Sequence, residues 1–341
     1  MKSIIRELVW KAYYYIDYLK CRPHFSEVMQ VDDALCSEMV ERLQNINCIG
    51  SALIIATHNK LRQSNYINYL ISKLNDRPVI VVNNTSTGHY KSEMIGDNVV
   101  WVDRPNYLRD IGAYRLAVKA ICQLQNEELN RVVLMNDSFY VLREDFFKHI
   151  SHPFEEDVVS HSFSEYPTPH FRSYWLSLKP KLLPALNEYL QKIPLTRSRY
   201  AAIRMGELGM SRCVFLNYVC NVLPIADRVC EQNSVAYSNI LRLDEARVWS
   251  QPCFTTAINK LHYHNESLDP YEMSKASEYF VPAIIKREVY EKGLANKVQC
   301  LFWIKSSDIP ERMHNEIAKE VLINTRPRTF INLFKRNIGE I

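Results

Sequence analysis

The sequence predicts an α/β protein: a mostly parallel sheet flanked by helices, with helical additions at both ends. Three observations carry this. Short apolar runs rich in β-branched residues recur from residue 50 and alternate with stretches of helical period. These runs are apolar throughout instead of alternating with polar residues, as strands covered on both faces are. Amphipathic helical periods also lie outside the alternation, near both ends of the chain.

Taken in order, residues 3–20 read as a helix in which Ile5, Leu8, Val9, Ala12, Ile16 and Leu19 form an apolar stripe, surrounded by Trp10, Tyr13, Tyr14, Tyr15 and Tyr18. Such a helix either packs on the body or lies in a membrane interface. Residues 32–46 read as a second amphipathic helix. Strands are expected at Ser51–Ala56, Pro78–Val82, Asn98–Val102 and Arg131–Met135, and helices at Leu61–Leu74 and Arg109–Leu124. Beyond residue 150 the alternation weakens. Strands are expected at Asp157–Phe163 and Ser173–Leu178, and helices at Lys181–Lys192, Glu207–Leu216, 270–290 and 308–323, with a mixed stretch over 225–265. No linker, repeat or low-complexity segment divides the chain. The expected organisation is a helical segment over 1–49, two halves of one sheet domain over 50–150 and 151–295, and helices with a basic tail over 296–341.

Composition excludes several classes. The 341 residues include only 8 glycines, and no GxGxxG or GxxxxGK[ST] loop occurs, which argues against a glycine-loop nucleotide binder. The 9 cysteines are odd in number, scattered and without a CxxC pair, so they are expected to be reduced small hydrophobes and not a zinc or redox site. A net charge of +4 is too small to imply nucleic acid. Its distribution is uneven: residues 1–24 carry five basic against two acidic side chains, and residues 326–341 four against one. Ends charged in this way, beside aromatic and aliphatic residues, suit an anionic membrane surface. No apolar run approaches the ~20 residues that cross a bilayer. Arg6, Glu7 and Lys11 also interrupt the N-terminus as no signal peptide would. The expectation is a cytoplasmic protein, peripheral on the inner face of the cell membrane.

Right-handed crossovers place the carboxyl ends of parallel strands on one rim, where ligands bind near the reversal of strand order. The rim residues are then His58, Asn59, Asn83, Asn84, Asp103, Asn136 and Asp137. The fourth run ends in Asn136-Asp137-Ser138. An apolar strand that delivers a carboxylate at its carboxyl end suits a divalent cation or a ribose hydroxyl, and equally suits a capped turn. Asp110 begins a helix and is either a cap or dipole partner or a site group, with Arg109 beside it to meet a phosphate.

RDIGAY (109–114) and VVLMNDSFY (132–140) together resemble the rhamnan synthesis protein F family of bacterial glycosyltransferases. Further matches follow in order. HFRSYWLSL (170–178) is similar to a His-x-x-Ser-Tyr segment, GELGMS (206–211) to Glu-x-Gly-Leu-Ser, NKLH (259–262) to Asn-Pro-Thr-His, and VPAIIKREV (281–289) to Pro-Phe-Ile-Lys. Lys260 stands where the family has proline. The resemblance spans roughly residues 50–292 and lies in the ordered set.

The resemblance implies a GT-A fold of Rossmann type, a nucleotide-diphospho-sugar donor, and a glycan or lipid-linked acceptor in surface polysaccharide growth. Donor binding would occupy the first half of the sheet domain and acceptor binding with catalysis the second. Carried over, Asn136, Asp137 and Ser138 serve the donor's ribose and diphosphate, with His58, Arg109 and Asp110 beside the nucleotide. Asp137 and His262 would hold Mg²⁺ or Mn²⁺, with His264 as the fallback. Glu207 would be the general base of an inverting transfer, ahead of Asp157 and Glu165; its structural alternative is a carboxylate favouring a helix N-terminus. The glycines around it are expected to let the acceptor approach the backbone. Two other classes stay open: a nucleotidyl or phosphosugar transferase, which would usually want more carboxylates for two metals, and a non-catalytic membrane-associated subunit of a polysaccharide assembly complex.

Overall fold

In the computed structural model the first apolar run becomes β1 (Gly50–Thr57), buried along nearly its whole length near the middle of a nine-stranded sheet. The structure describes residues 2–46, 50–58, 65–74, 76–86, 88–124, 126–164, 169–223, 229–231, 248–249, 280–291 and 297–324. On one side of β1 lie β2 (Val79–Thr85), β3 (Lys91–Ile95) and β4 (Val99–Pro105), in the spatial order β1-β2-β4-β3. On its other side lies β5 (Leu129–Asn136), parallel to it. The chain thus turns outward from β1 in both directions, and the crevice between the ends of β1 and β5 is the switch point where such sheets bind ligands.

The second half continues from β5. β6 (Phe139–Val141) leaves the sheet, and β7 (Val158–Ser160) rejoins it. β8 (Phe163–Ser164) and β9 (His170–Phe171) pair as a short hairpin. β10 (Trp175–Leu178) inserts antiparallel between β5 and β7. β11 (Cys220–Val222) runs parallel to β7. β12 (Val229–Glu231) pairs with β14 (Phe280–Pro282), and β13 (Val248–Trp249) pairs with β11 at the edge of the sheet. β15 (Ile284–Lys286) pairs antiparallel with β6. Six strands of the sheet share one direction while β3, β10 and β13 oppose it, so the sheet is mixed.

Both faces are covered, which is why the central strands read as unbroken apolar runs. Alternate residues Ile54, Ile80, Val100, Val132 and Leu134 face one core. Their neighbours Leu53, Val81, Trp101, Val133 and Met135 face the other. The first core takes in α1 (Lys2–Cys21) and α2 (Phe25–Gln44). α3 (Asn65–Ser72) covers the second, α4 (Arg109–Leu124) the first, and the short α5 (Lys148–Ser151) the second again. α6 (Leu183–Gln191) returns to the first core. A helical stretch follows, made of α7 (Arg199–Ala201), a π-helical segment Ala202–Glu207 and α8 (Leu208–Cys213). α9 (Arg287–Glu291), α10 (Lys297–Lys305) and α11 (Glu311–Asn324) complete the second core with Val289, Trp303, Ile317 and Val321.

Two expected elements need correction. Residues 280–286 are strands and not helix, because Ile284 and Ile285 pair with Tyr140 and Val141; residues 270–279 lie outside the described residues. Asp157–Phe163 breaks into β7 and β8 around His161 and Ser162. α1 packs through Tyr14 and Tyr18, against Tyr200 and Phe25, while Leu8, Val9, Ile16 and Leu19 face outward. Among the described residues no helix is long and apolar enough to cross a membrane. Cys21, Cys36, Cys122, Cys213, Cys220 and Cys300 are free thiols.

Candidate functional site

The switch point is closed by a bond between two strand ends. Asp137 continues the β1–β5 ladder, its N–H donating to Ala56 O at 3.1 Å, and its Oδ2 accepts from Thr57 Oγ1 at 2.7 Å. The turn after β5 is capped by Asn136 and not by Asp137. Asn136 Oδ1 accepts from both the N–H of Ser138 (3.1 Å) and its hydroxyl (2.6 Å), a local closure typical of Asn. The Asp137 carboxylate is therefore left to line the cavity that opens there.

The start of α4 is held in an unusual conformation. Leu108 and Arg109 both have positive φ, at 58° and 52°. Side chains with a Cβ occupy that region at a cost of about 1–3 kcal/mol each, and such strain clusters at functional sites. The surroundings over-determine it. Leu108 N–H donates to Thr196 O at 2.8 Å, and Asn84 Nδ2 donates to Arg109 O at 3.2 Å. Asn84 Oδ1 in turn accepts from Arg104 Nη1 at 2.8 Å, and the same nitrogen donates to Tyr107 O at 3.0 Å. Arg104 is fully buried and bonded twice by Asp32 of α2, at 3.2 and 3.0 Å. Gly112 makes this possible, since a Cβ there would stand 2.0 Å from Tyr107 O.

Asp110 follows directly. Its Oδ2 accepts from Asn136 Nδ2 at 2.7 Å. Burial, with the nearby Asp137 carboxylate adding to it, pushes its carboxyl up to about 7 against the partial relief given by Asn136 and Arg109; Glu207 also contributes to the rise. Asp110 thus belongs to a cluster of acidic groups, beyond any service to its own helix.

The second half brings Glu207 to the same place. Its Oε1 accepts from Ser173 N–H at 2.8 Å and from Ser173 Oγ at 3.3 Å. The reading of Glu207 as a helix N-terminal carboxylate does not hold, because helical structure begins at Arg199 and Glu207 closes the π-helical segment. π-Helical turns are frequent at functional sites. The flanking glycines serve packing, not access. A Cβ on Gly206 would meet Ile111 Cγ1 at 2.4 Å, and one on Gly209 would meet Tyr189 Oη at 1.8 Å.

The end of β15 and the start of α9 deliver two cations, Lys286 and Arg287, that the sequence does not single out. The pairing of β15 with β6 sets Lys286 opposite Phe139, and Arg287 N–H donates to Ser138 O at 2.9 Å. Lys286 Nζ lies 4.4 Å from the Tyr174 ring centroid, and Arg287 5.3 Å from that of Tyr140. Glu320 of α11 supports Arg287 from behind at 3.5 Å while accepting from Tyr290 Oη at 2.5 Å. The match of VPAIIKREV was the available signal for this pair.

These groups line one cavity of about 460 Å³. Asp110, Asp137, Glu207 and Glu291 are its carboxylates, and Arg109, Arg172, Arg199, Lys286 and Arg287 its cations. A second cavity of about 690 Å³ opens beside it over the ends of β2 and β4, lined among others by Thr85, Tyr107, Arg197 and Val31 of α2. Arg109 lines both.

Other expected residues lie elsewhere. His58 sits at the end of β1 with Nδ1 2.5 Å from Asn84 O, and lines neither cavity. Asp103 is buried and not a rim group, accepting from Asn83 Nδ2 at 2.9 Å and Trp101 Nε1 at 3.0 Å. Asp157 pairs with Lys181 at 2.7 Å, away from the cavity. Asn59, Glu165, His262 and His264 lie outside the described residues. Among the described residues no three of His, Cys, Asp and Glu converge on a metal position. Asp137 offers one carboxylate to the cavity, oriented from behind by the buried Thr57 hydroxyl, which suits Mg²⁺ where substrate phosphates complete the shell. No family model matches the chain, and no curated protein matches it.

Proposed function

We propose that the chain is a nucleotide-sugar-dependent glycosyltransferase of GT-A type, transferring a hexose to a glycan or lipid-linked acceptor in surface polysaccharide growth. The observation that carries this reading is the convergence, in one cavity at the switch point, of Asp110, Asp137 and Glu207 with five cations. A diphosphate leaving group gains charge as the glycosidic bond breaks. Arg109, Arg172, Arg199, Lys286 and Arg287 supply fixed positive charge for it in a partly desolvated setting, where such charge is worth most. Asp137, beside Thr57, would orient the ribose or hold a Mg²⁺ or Mn²⁺ ion that enters with the diphosphate and adds Lewis-acid neutralisation.

Glu207 would take the proton of the acceptor hydroxyl. As the new bond forms at the anomeric carbon, the bonding pair of the old one passes to the diphosphate oxygen, which gives inversion. Ser173 fixes one Glu207 oxygen through two donors, so that the carboxylate is oriented before substrate arrives. The second cavity, which shares Arg109 with the first, has room for the nucleoside end of the donor. The reading places the protein in the cytoplasm at the inner face of the membrane.

Incubation with a panel of nucleotide-sugars, followed by measurement of nucleoside diphosphate release, tests this. Release with at least one donor, abolished in Asp137→Ala while that variant keeps a single cooperative unfolding transition, is the expected result. Pyrophosphate release in its place would move the reaction to nucleotidyl transfer. Wild-type turnover in Asp137→Ala would remove the donor-site assignment.

A further inference from the structure

α1 turns its apolar side away from the protein. Tyr14, Tyr18 and Cys21 point inward: Tyr14 packs on Tyr200 with ring centroids 6.0 Å apart, and Tyr18 on Phe25 at 5.5 Å. Leu8 (60%), Tyr13 (68%), Ile16 (50%) and Leu19 (62%) are exposed to solvent. At about 100° per residue, Leu8, Ala12, Ile16 and Leu19 fall in one stripe, roughly half a turn around the helix from Tyr14, Tyr18 and Cys21. Lys11 lies on one flank of the stripe and Lys20 on the other, both exposed. A surface helix ordinarily buries its apolar stripe and shows solvent its charges. Here a two-sided helix meets the protein through tyrosines and presents an aliphatic ridge between lysines.

We infer that this face of α1 docks on an anionic lipid bilayer, lying in the plane of the headgroups. Leu8, Ile16 and Leu19 enter the acyl boundary, Tyr13 and Tyr15 sit at headgroup level, and Lys11, Lys20 and Arg22 meet anionic lipid. Charge decides between lipid and a second copy of the chain. Asp17, the one acidic residue within 8–22, is turned inward and accepts from Arg197 N–H at 2.8 Å. An identical face therefore has only basic groups to set against Lys11 and Lys20.

The inward face of α1 is fastened where the cavities open. It holds the segment Arg197–Tyr200, of which Arg197 lines the larger cavity and Arg199 the smaller. Docking thus fixes both cavities relative to the lipid surface. The membrane contact itself does not rest on the proposed transfer, and its test uses no activity.

The full chain is floated with vesicles of phosphatidylcholine and phosphatidylglycerol, and with phosphatidylcholine alone. The wild type should float with the anionic vesicles. The exposed triple variant Leu8→Glu/Ile16→Glu/Leu19→Glu should lose at least about tenfold in partition at an unchanged melting temperature. Lys11→Glu/Lys20→Glu, which leaves the ridge intact, should lose the preference for anionic vesicles. Equal flotation of all three proteins would overturn the inference. So would wild-type self-association in sedimentation equilibrium that the triple variant abolishes without any wild-type flotation.

Discussion

Asp110 carries the most displaced carboxyl proton of the site, and its consequence for stability has a definite sign. The folded chain holds this proton up to about pH 7, whereas an unfolded chain releases it near the ordinary 3.8. The folded state therefore binds more protons between these values, and stability falls as pH rises from about 4 to about 7. The full displacement corresponds to at most about 4 kcal/mol. Asp110→Asn removes the ionisable group, so its melting temperature should gain on the wild type above pH 7 and lose that advantage towards pH 4. An identical pH profile in the two proteins would show that Asp110 is not held as the structure has it. Glu207 is expected to behave differently. Glu207→Gln should lose transfer by about 10²–10⁴ while binding donor nucleotide almost normally, as loss of a general base does. Donor binding that falls in proportion to activity would make Glu207 a donor-site or structural group.

Among the elements, the π-helical segment and α4 are locked together by a missing side chain. The Ile111 side chain fills the space a Cβ on Gly206 would need. Gly206→Ala should cost about 1–3 kcal/mol in denaturant unfolding, the usual range for overpacking, and Ile111→Val should recover part of it. A neutral Gly206→Ala would mean that α4 and the π segment separate easily. These elements also show what the sequence could disclose. β1, β2, β4 and β5 were legible because burial on both faces forces an unbroken apolar run. The direction of β10 was not, since a buried four-residue strand carries no sign of which way it runs. β15 was read as helix because a three-residue strand is too short to show a period. In the site, Asp137 was legible as the carboxylate at a strand end, and Asp110 beside a helix start. The cationic half was not. Arg172, Arg199, Lys286 and Arg287 converge from three separate segments of the second half, and apart from the motif matches around Arg172 and the Lys286–Arg287 pair nothing local marks them as site groups.

At the scale of the whole molecule, a buried ion pair ties α2 to the start of α4. Arg104 lies between Asp32 of α2 and Asn84, which holds the Arg109 carbonyl. Asp32→Ala strands the Arg104 charge in the core and should cost about 3–5 kcal/mol in unfolding free energy, the range seen when one partner of a buried pair is removed. Replacing Arg104 as well, in Asp32→Ala/Arg104→Met, should restore part of that loss, because the stranded charge is then gone. A loss under 1 kcal/mol in the single variant, the scale of exposed pairs, would place this pair among them. The strand order carries a further consequence, for biosynthesis. β1, β2, β4, β3 and β5 find all their mutual partners within residues 50–136, so this half of the sheet can pair while the ribosome is still making the rest. Asp137 then emerges at an unfinished border, and Glu207, Lys286 and Arg287 arrive only as later segments dock. The candidate site is thus completed only after residues 286 and 287 have been made. A molecule that bridges its two sides would clamp the late-arriving half and slow its detachment during unfolding.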